Sequence, residues 1–193
     1  MSAWSFLKDV VRRPKMMGAV SPSGRSLARR MAESADVQSH HVIAELGAGT
    51  GALTQGIVDR APGARLLCFE PGEELSAILA ARFPNATVTR RLAHELPAAL
   101  AEWGASRVDR VVCGLPWTIW PEAEQRQILQ AIVASLADDG RFCTFMYVHS
   151  QYLPGAVAFR RLLDEYFGEV SRSPVAWRNL PPAFVWIATQ PRR

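Results

Sequence analysis

Apolar runs ending at Leu46, Phe69, Val88, Cys113 and Val148 alternate with amphipathic stretches near 51–60, 72–83, 93–102, 121–137 and 155–167. That alternation leaves one broad architecture, a mostly parallel sheet with helices on both faces, because each parallel strand needs a crossover to return the chain. The last part breaks the rule. Residues 169–178 and 183–189 are both strand-like and are joined through Leu180-Pro181-Pro182 with no helix between, which predicts a terminal antiparallel hairpin. The expected fold is therefore α/β, a mostly parallel seven-stranded sheet ending in that hairpin. A chain of 193 residues with 49% hydrophobic and 21% charged side chains builds one well-packed core. It divides into residues 1–35, an N-terminal helical extension, and residues 36–193, the α/β domain.

The first strand runs into Glu45-Leu46-Gly47-Ala48-Gly49-Thr50-Gly51, with a helix just behind. Glycines there let the backbone turn sharply and approach a ligand, and the helix start offers free N–H groups. About nineteen residues on, the second strand ends in Glu70-Pro71, placing a carboxylate to accept hydrogen bonds from a ribose diol. Gly47, Gly49 and Ala52 also satisfy a permissive dinucleotide pattern, so nicotinamide and S-adenosylmethionine enzymes both fit this much.

Charge is distributed unevenly. Residues 1–30 hold seven Lys and Arg against Asp9 alone, so of the net +4 the remaining chain carries −2. Trp4, Leu7 and Val11 fall at i, i+3 and i+7 with Phe6 beside them, while Lys8, Arg12 and Arg13 take other positions and Lys15 follows Pro14. This is a short basic amphipathic helix, fit either to cover the core or to lie in an anionic bilayer interface. Ser21-Pro22 then opens a second helix running to about Ala35. The uncharged stretch from Phe142 to Phe159 contains a Pro154-Gly155 break and reads as strand plus loop, not a membrane span. Cys68, Cys113 and Cys143 show neither disulfide nor metal-ligand spacing; they are expected as inert core residues in a reduced, cytoplasmic protein needing no metal.

Two features separate the cofactor readings. Glu45 directly before the glycine loop resembles motif I of class I S-adenosylmethionine-dependent methyltransferases. The fourth strand delivers Gly114-Leu115-Pro116-Trp117, which resembles the NPPY or NLPY motif of amino-group methyltransferases. With Gly18-Ala19-Val20-Ser21-Pro22-Ser23-Gly24 and Trp177-Arg178-Asn179-Leu180-Pro181-Pro182-Ala183-Phe184-Val185-Trp186, the chain resembles the bacterial phospholipid N-methyltransferases of the rhizobial and agrobacterial type over nearly its full length.

The resemblance implies a Rossmann-like methyltransferase fold. It also implies stepwise methylation of phosphatidylethanolamine toward phosphatidylcholine, with S-adenosylmethionine as methyl donor and S-adenosylhomocysteine as product. Glu45, Gly47, Ala48, Gly49, Gly51, Glu70, Pro71, Leu92, Ala93 and Gly114 would line the cofactor. Gly114 and Leu115 would aim the acceptor nitrogen through their carbonyls, with Tyr147 and His149 as candidates to relay its proton. Tyr147, Arg178 and Asn179 would recognise the head-group phosphate, Ser21 and Ser23 either that phosphate or the carboxylate of S-adenosylmethionine, and Trp117 would offer a face to methylated cations.

Leu92 stands where the family usually has an acidic residue for the adenine amino group, leaving Ala93 or Glu95 as substitutes. Trp4, Phe6, Leu7, Lys8, Val11, Arg12, Arg13 and Lys15 would hold the protein peripherally on the inner face of the cytoplasmic membrane. The partners expected are phosphatidylethanolamine, its methylated intermediates and an anionic phospholipid surface, with no nucleic acid. The competing readings are an N-methyltransferase of RNA adenine or a small amine, and a non-catalytic S-adenosylmethionine binder suggested by Leu92. The related ribosomal RNA adenine dimethyltransferases carry a helical RNA-binding domain after the sheet, for which this sequence is expected to have no counterpart.

Overall fold

The computed structural model describes residues 22–193. The basic amphipathic stretch from Trp4 to Lys15, and Ser21, lie outside the described residues. In chain order the elements are α1 (Pro22–Ser34), β1 (Val42–Leu46), α2 (Ala52–Arg60), β2 (Arg65–Phe69), α3 (Glu73–Arg82) and β3 (Thr87–Thr89). They continue with α4 (Leu96–Glu102), β4 (Val108–Cys113), α5 (Glu122–Ser135), β5 (Leu136–Tyr147), α6 (Pro154–Tyr166), β6 (Phe167–Arg172) and β7 (Ala183–Pro191). The seven strands form one sheet in the order β3-β2-β1-β4-β5-β7-β6. Strands β1 to β5 pair in parallel, and β7 runs antiparallel between β5 and β6.

Strand periodicity sorts the core onto two faces. Leu67, Phe69, Val111, Cys113 and Phe142 point to the side covered by α4, α5 and α6. Their neighbours Leu66, Cys68, Val112 and Cys143 point to the side covered by α1, α2 and α3. Burial on both faces is why the central strands read as continuous apolar runs and not as alternating ones. Helix α1 belongs to this same core: Met31 and Ala32 are fully buried, and a Cβ built on Gly56 of α2 would stand 2.6 Å from the Ala28 carbonyl oxygen.

The hairpin is present, with different bounds. Strand β6 covers Phe167–Arg172 and stops before Pro174, which has no N–H for a ladder. From the 173–182 loop an isolated bridge joins Ala176 to Ala183. Because Tyr147 pairs with Ala183, that loop returns to the carboxyl end of β5. The loops after β1, β4 and β5 and the β6–β7 loop therefore share one edge of the sheet, where ligands bind in open α/β folds.

Candidate active site

Gly47, Gly49 and Gly51 all adopt left-handed φ values, +75°, +55° and +86°, so their alternate spacing is a backbone requirement. The turn is tied down by N–H donation from Gly47 and Ala48 to the Phe69 carbonyl, both at 3.0 Å. Glu70, at the end of β2, braces it further. One carboxylate oxygen accepts the Gly49 N–H at 2.9 Å and the other accepts the Gly72 N–H at 2.8 Å. Burial pushes the Glu70 carboxyl up, and these two N–H groups oppose it.

Glu45 is fully buried beneath the loop. Its Oε2 accepts the Thr54 hydroxyl at 2.7 Å and the Cys68 thiol at 3.5 Å, while Oε1 has no partner among the described residues. Burial pushes this carboxyl up to about 7, against the pull of Thr54 and Cys68.

The loop after β4 comes directly against the glycine turn. Gly114 donates its N–H to the Leu46 carbonyl at 2.8 Å. A Cβ on Gly114 would meet the Gly47 carbonyl oxygen at 2.9 Å, and one on Gly47 would meet the Leu115 side chain at 2.7 Å. The two motifs that stand 63 residues apart in sequence thus form one contact. The Leu115 carbonyl accepts the Trp117 N–H, whereas the Gly114 carbonyl accepts no hydrogen bond among the described residues and keeps its full capacity for an outside donor.

Several expected roles change. Trp117 is only 1% exposed: its indole stacks on Phe159 with centroids 4.2 Å apart and donates to Thr144 Oγ1 at 2.9 Å. It is a core anchor for the loop and presents no face to a methylated cation. Asn179 is buried, and its amide donates to the Pro181 carbonyl at 2.7 Å, so it fixes the turn into β7 instead of offering itself to a phosphate.

Leu92 is 38% exposed, and its N–H is taken by Glu95 Oε2 at 2.8 Å. Glu95 also pairs with Arg91, so it is committed to the loop and does not substitute for a missing adenine contact. Ala93 opens the short 3₁₀ turn that follows, and Pro71 is spanned by the bond from the Gly72 N–H back to Glu70. Arg178 is exposed, and of Ser23 only the backbone is described.

Tyr147 ends β5, half-buried, its ring stacked on exposed His149 at 5.7 Å. Burial pushes the phenol above the usual tyrosine range. It therefore stays protonated near neutrality and is no general base, while its hydroxyl keeps a donor and an acceptor for the acceptor head group.

A residue that the motifs did not single out holds this loop. Gln125 of α5 is fully buried, and its Nε2 donates to the carbonyls of Trp117 at 2.6 Å, Gly155 at 3.0 Å and Trp120 at 3.1 Å. One side chain thereby fastens the β4 loop to the start of α6. The signal was available: Gln125, Ile128, Leu129 and Ile132 share one helical stripe, and a polar residue on that stripe must find partners inside.

No family model matches this sequence. The chain is 29% identical over 182 residues, 92% of its length and 91% of the relative's, to an ornithine lipid N-methyltransferase of Singulisphaera acidiphila. It is 36% identical over 89 residues to ribosomal RNA small subunit methyltransferase A of Thermotoga neapolitana, covering 44% of this chain and 34% of that protein. Among solved structures it is similar to N-methyltransferase NodS from Bradyrhizobium japonicum, with a TM-score of 0.68 and 15% identity, over 89% of this chain and 98% of that one. It is also similar to TrmN from Thermus thermophilus, with a TM-score of 0.66 and 16% identity, over 85% and 48%. The chain has the fold of the class I S-adenosylmethionine-dependent methyltransferases and is related along nearly all of its length to a bacterial lipid N-methyltransferase.

Proposed function

We propose that this protein transfers methyl groups from S-adenosylmethionine to the amine of a membrane lipid head group, with phosphatidylethanolamine as acceptor, at the cytoplasmic face of the membrane. The observation that carries the reading is the contact between the glycine turn and the Gly114-Leu115 loop. It joins a nucleotide-type site to an open backbone carbonyl suited to an amine.

The residues present fit the methyl donor. A Cβ on Gly49 would meet nothing within 4 Å, so the turn faces open space; the Glu70 carboxylate and the unpartnered Glu45 oxygen lie beside and beneath it. When bound, S-adenosylmethionine supplies a sulfonium-activated methyl group and is released as S-adenosylhomocysteine. The Gly114 carbonyl accepts a hydrogen bond from the amine and aims its lone pair, which is positioning and not bond-making. The acceptor ammonium must first lose a proton, and exposed His149 is the residue at this edge able to take it. Tyr147, held as a phenol, donates to the head group, and Arg178 supplies a cation.

Ornithine lipid is the second reading, favoured by the nearly full-length relative and by the loss of Asn179 from the phosphate-binding set. Incubation with labelled S-adenosylmethionine and vesicles containing either lipid, followed by separation of the lipids, tests both. Label in phosphatidylethanolamine derivatives supports the first reading. Label in ornithine lipid alone moves the function to the second, and label only in added RNA or a soluble amine overturns both.

Gln125→Leu tests the positioning of the loop. It leaves three carbonyls without their donor, costing about 1–3 kcal/mol of stability. Turnover should fall about tenfold while the affinity for S-adenosylmethionine stays unchanged, because near-attack geometry is sensitive to small displacements. Calorimetric titration beside initial rates checks it; equal loss of both would show that the loop serves the cofactor instead.

A further inference from the structure

Eight large hydrophobic side chains are exposed among the described residues, and seven of them lie in segments at the carboxyl edge of the parallel strands. Leu92 follows β3. The other six surround the acceptor half of the site: Ile119 after β4, Tyr152, Leu153 and Val157 after β5, and Trp177 and Leu180 in the β6–β7 loop. Tyr152 is 81% exposed, Leu180 79% and Trp177 69%.

These segments are physically joined. Gln125 ties the β4 loop to Gly155, and the Val148 N–H bonds the Pro182 carbonyl at 2.9 Å. Their charge is as distinctive as their exposure. Segments 114–120, 147–159 and 173–182 contain no Asp or Glu, in a chain with 18 of them, and their one Lys or Arg is Arg178. The neighbouring cofactor half is densely charged, with Glu70, Glu73, Glu74, Arg90 and Arg91.

We infer that this apolar rim is a docking surface for a lipid bilayer, set so that the acceptor loop meets the head groups at the membrane plane. The inference rests on the lipid-amine reading for its purpose and on exposure and charge for its place. A surface that dips into the interfacial region must desolvate no carboxylate, and it favours Trp and Tyr at head-group depth with aliphatic residues among them. A nucleic acid would require many cations, and this rim has one. Arg178 adds attraction to anionic lipid. The rim is distinct from the basic stretch at residues 4–15 and would orient the sheet edge toward the bilayer even where that stretch supplies attraction.

The test is sedimentation of the full chain with vesicles of phosphatidylethanolamine and phosphatidylglycerol. The variants are Trp177→Glu with Leu180→Glu, and Tyr152→Glu with Leu153→Glu. Each pair should lower vesicle affinity by about tenfold or more with melting temperature unchanged, since an apolar contact becomes an anionic one. The Tyr152/Leu153 pair should methylate a monomeric short-chain phosphatidylethanolamine at the unaltered rate.

A fluorophore on Leu180→Cys, with Cys68, Cys113 and Cys143 all buried, should shift to the blue only when vesicles are added. Wild-type vesicle affinity in both pairs overturns the inference. So does a blue-shifted label without vesicles, which would place the chain's own N-terminal residues on the rim, and so does a protein dimer that the substitutions dissociate without loss of vesicle binding. Loss of vesicle binding in the variants, in a protein that methylates no lipid, leaves the surface standing and removes the function; methylation with an indifferent rim does the reverse.

Discussion

Gly49→Val is expected to leave the fold standing and to remove cofactor binding. The backbone at Gly49 sits at φ +55°, so a β-branched residue there is strained by about 1–2 kcal/mol, a loss the rest of the sheet absorbs. A Cβ at this position has no atom within 4 Å, so the side chain starts into open space. The space it fills is the space a ligand would take. S-adenosylmethionine affinity should fall roughly a hundredfold or more, about 3 kcal/mol of binding free energy.

Gly114→Ala should behave differently, since its Cβ would press on the Gly47 carbonyl at 2.9 Å and disturb both loops together. Glu70→Ala should also differ. It removes an acceptor worth about 1.5–3 kcal/mol and in the same stroke releases the Gly49 and Gly72 N–H groups, so stability and affinity fall together. Thermal melts beside titrations separate the three. Gly49→Val with wild-type affinity would move the cofactor away from this turn.

The sheet was legible because its strands are buried on both sides and its helices on one, so that runs and stripes follow from burial alone. The glycine turn was legible because only Gly takes three left-handed positions in five residues without strain. What sequence could not show was which way a side chain faces at the carboxyl edge, where core and site meet. Trp117 follows the acceptor motif directly, yet its indole turns inward onto Phe159 and Thr144. Asn179 has the donors a phosphate needs, yet its amide is occupied by Pro181 two residues away.

Leu92 looked like a defect in an adenine pocket. In the structure its N–H is closed off by Glu95, a three-residue contact that the pattern Leu-Ala-His-Glu does not distinguish from a solvated turn. The rim is not legible in sequence for another reason: Ile119, Tyr152, Trp177 and Leu180 are 61 residues apart at the extremes, and only the return of β7 beside β5 brings their loops to one edge. The same antiparallel insertion puts Tyr147 opposite Ala183, so the family-like tail motif and the tyrosine at the end of β5 meet through the ladder.

Glu45→Gln is expected to abolish a pH-dependent loss of stability that the wild-type protein shows between about pH 4.5 and 7. The carboxyl is fully buried, with one oxygen served by Thr54 and Cys68 and the other unpartnered among the described residues. Burial raises it to about 7, from an ordinary value near 4.5. A raised carboxyl means that the folded state holds the proton more tightly than the unfolded one. Its stability is therefore fullest below pH 4.5, declines as the pH rises through the window, and is level above 7, by about 3 kcal/mol in total.

Glutamine keeps the shape and carries no proton to lose. The Glu70 carboxyl, also raised, titrates in both proteins; its repulsion of an ionised Glu45 remains in the difference and adds to the same downward slope. Urea unfolding at closely spaced pH values should give a wild-type minus variant difference that slopes downward across this window and is flat outside it. A flat difference throughout would mean that Glu45 is ionised in the folded protein well below neutrality, and that a donor outside the described residues serves its second oxygen.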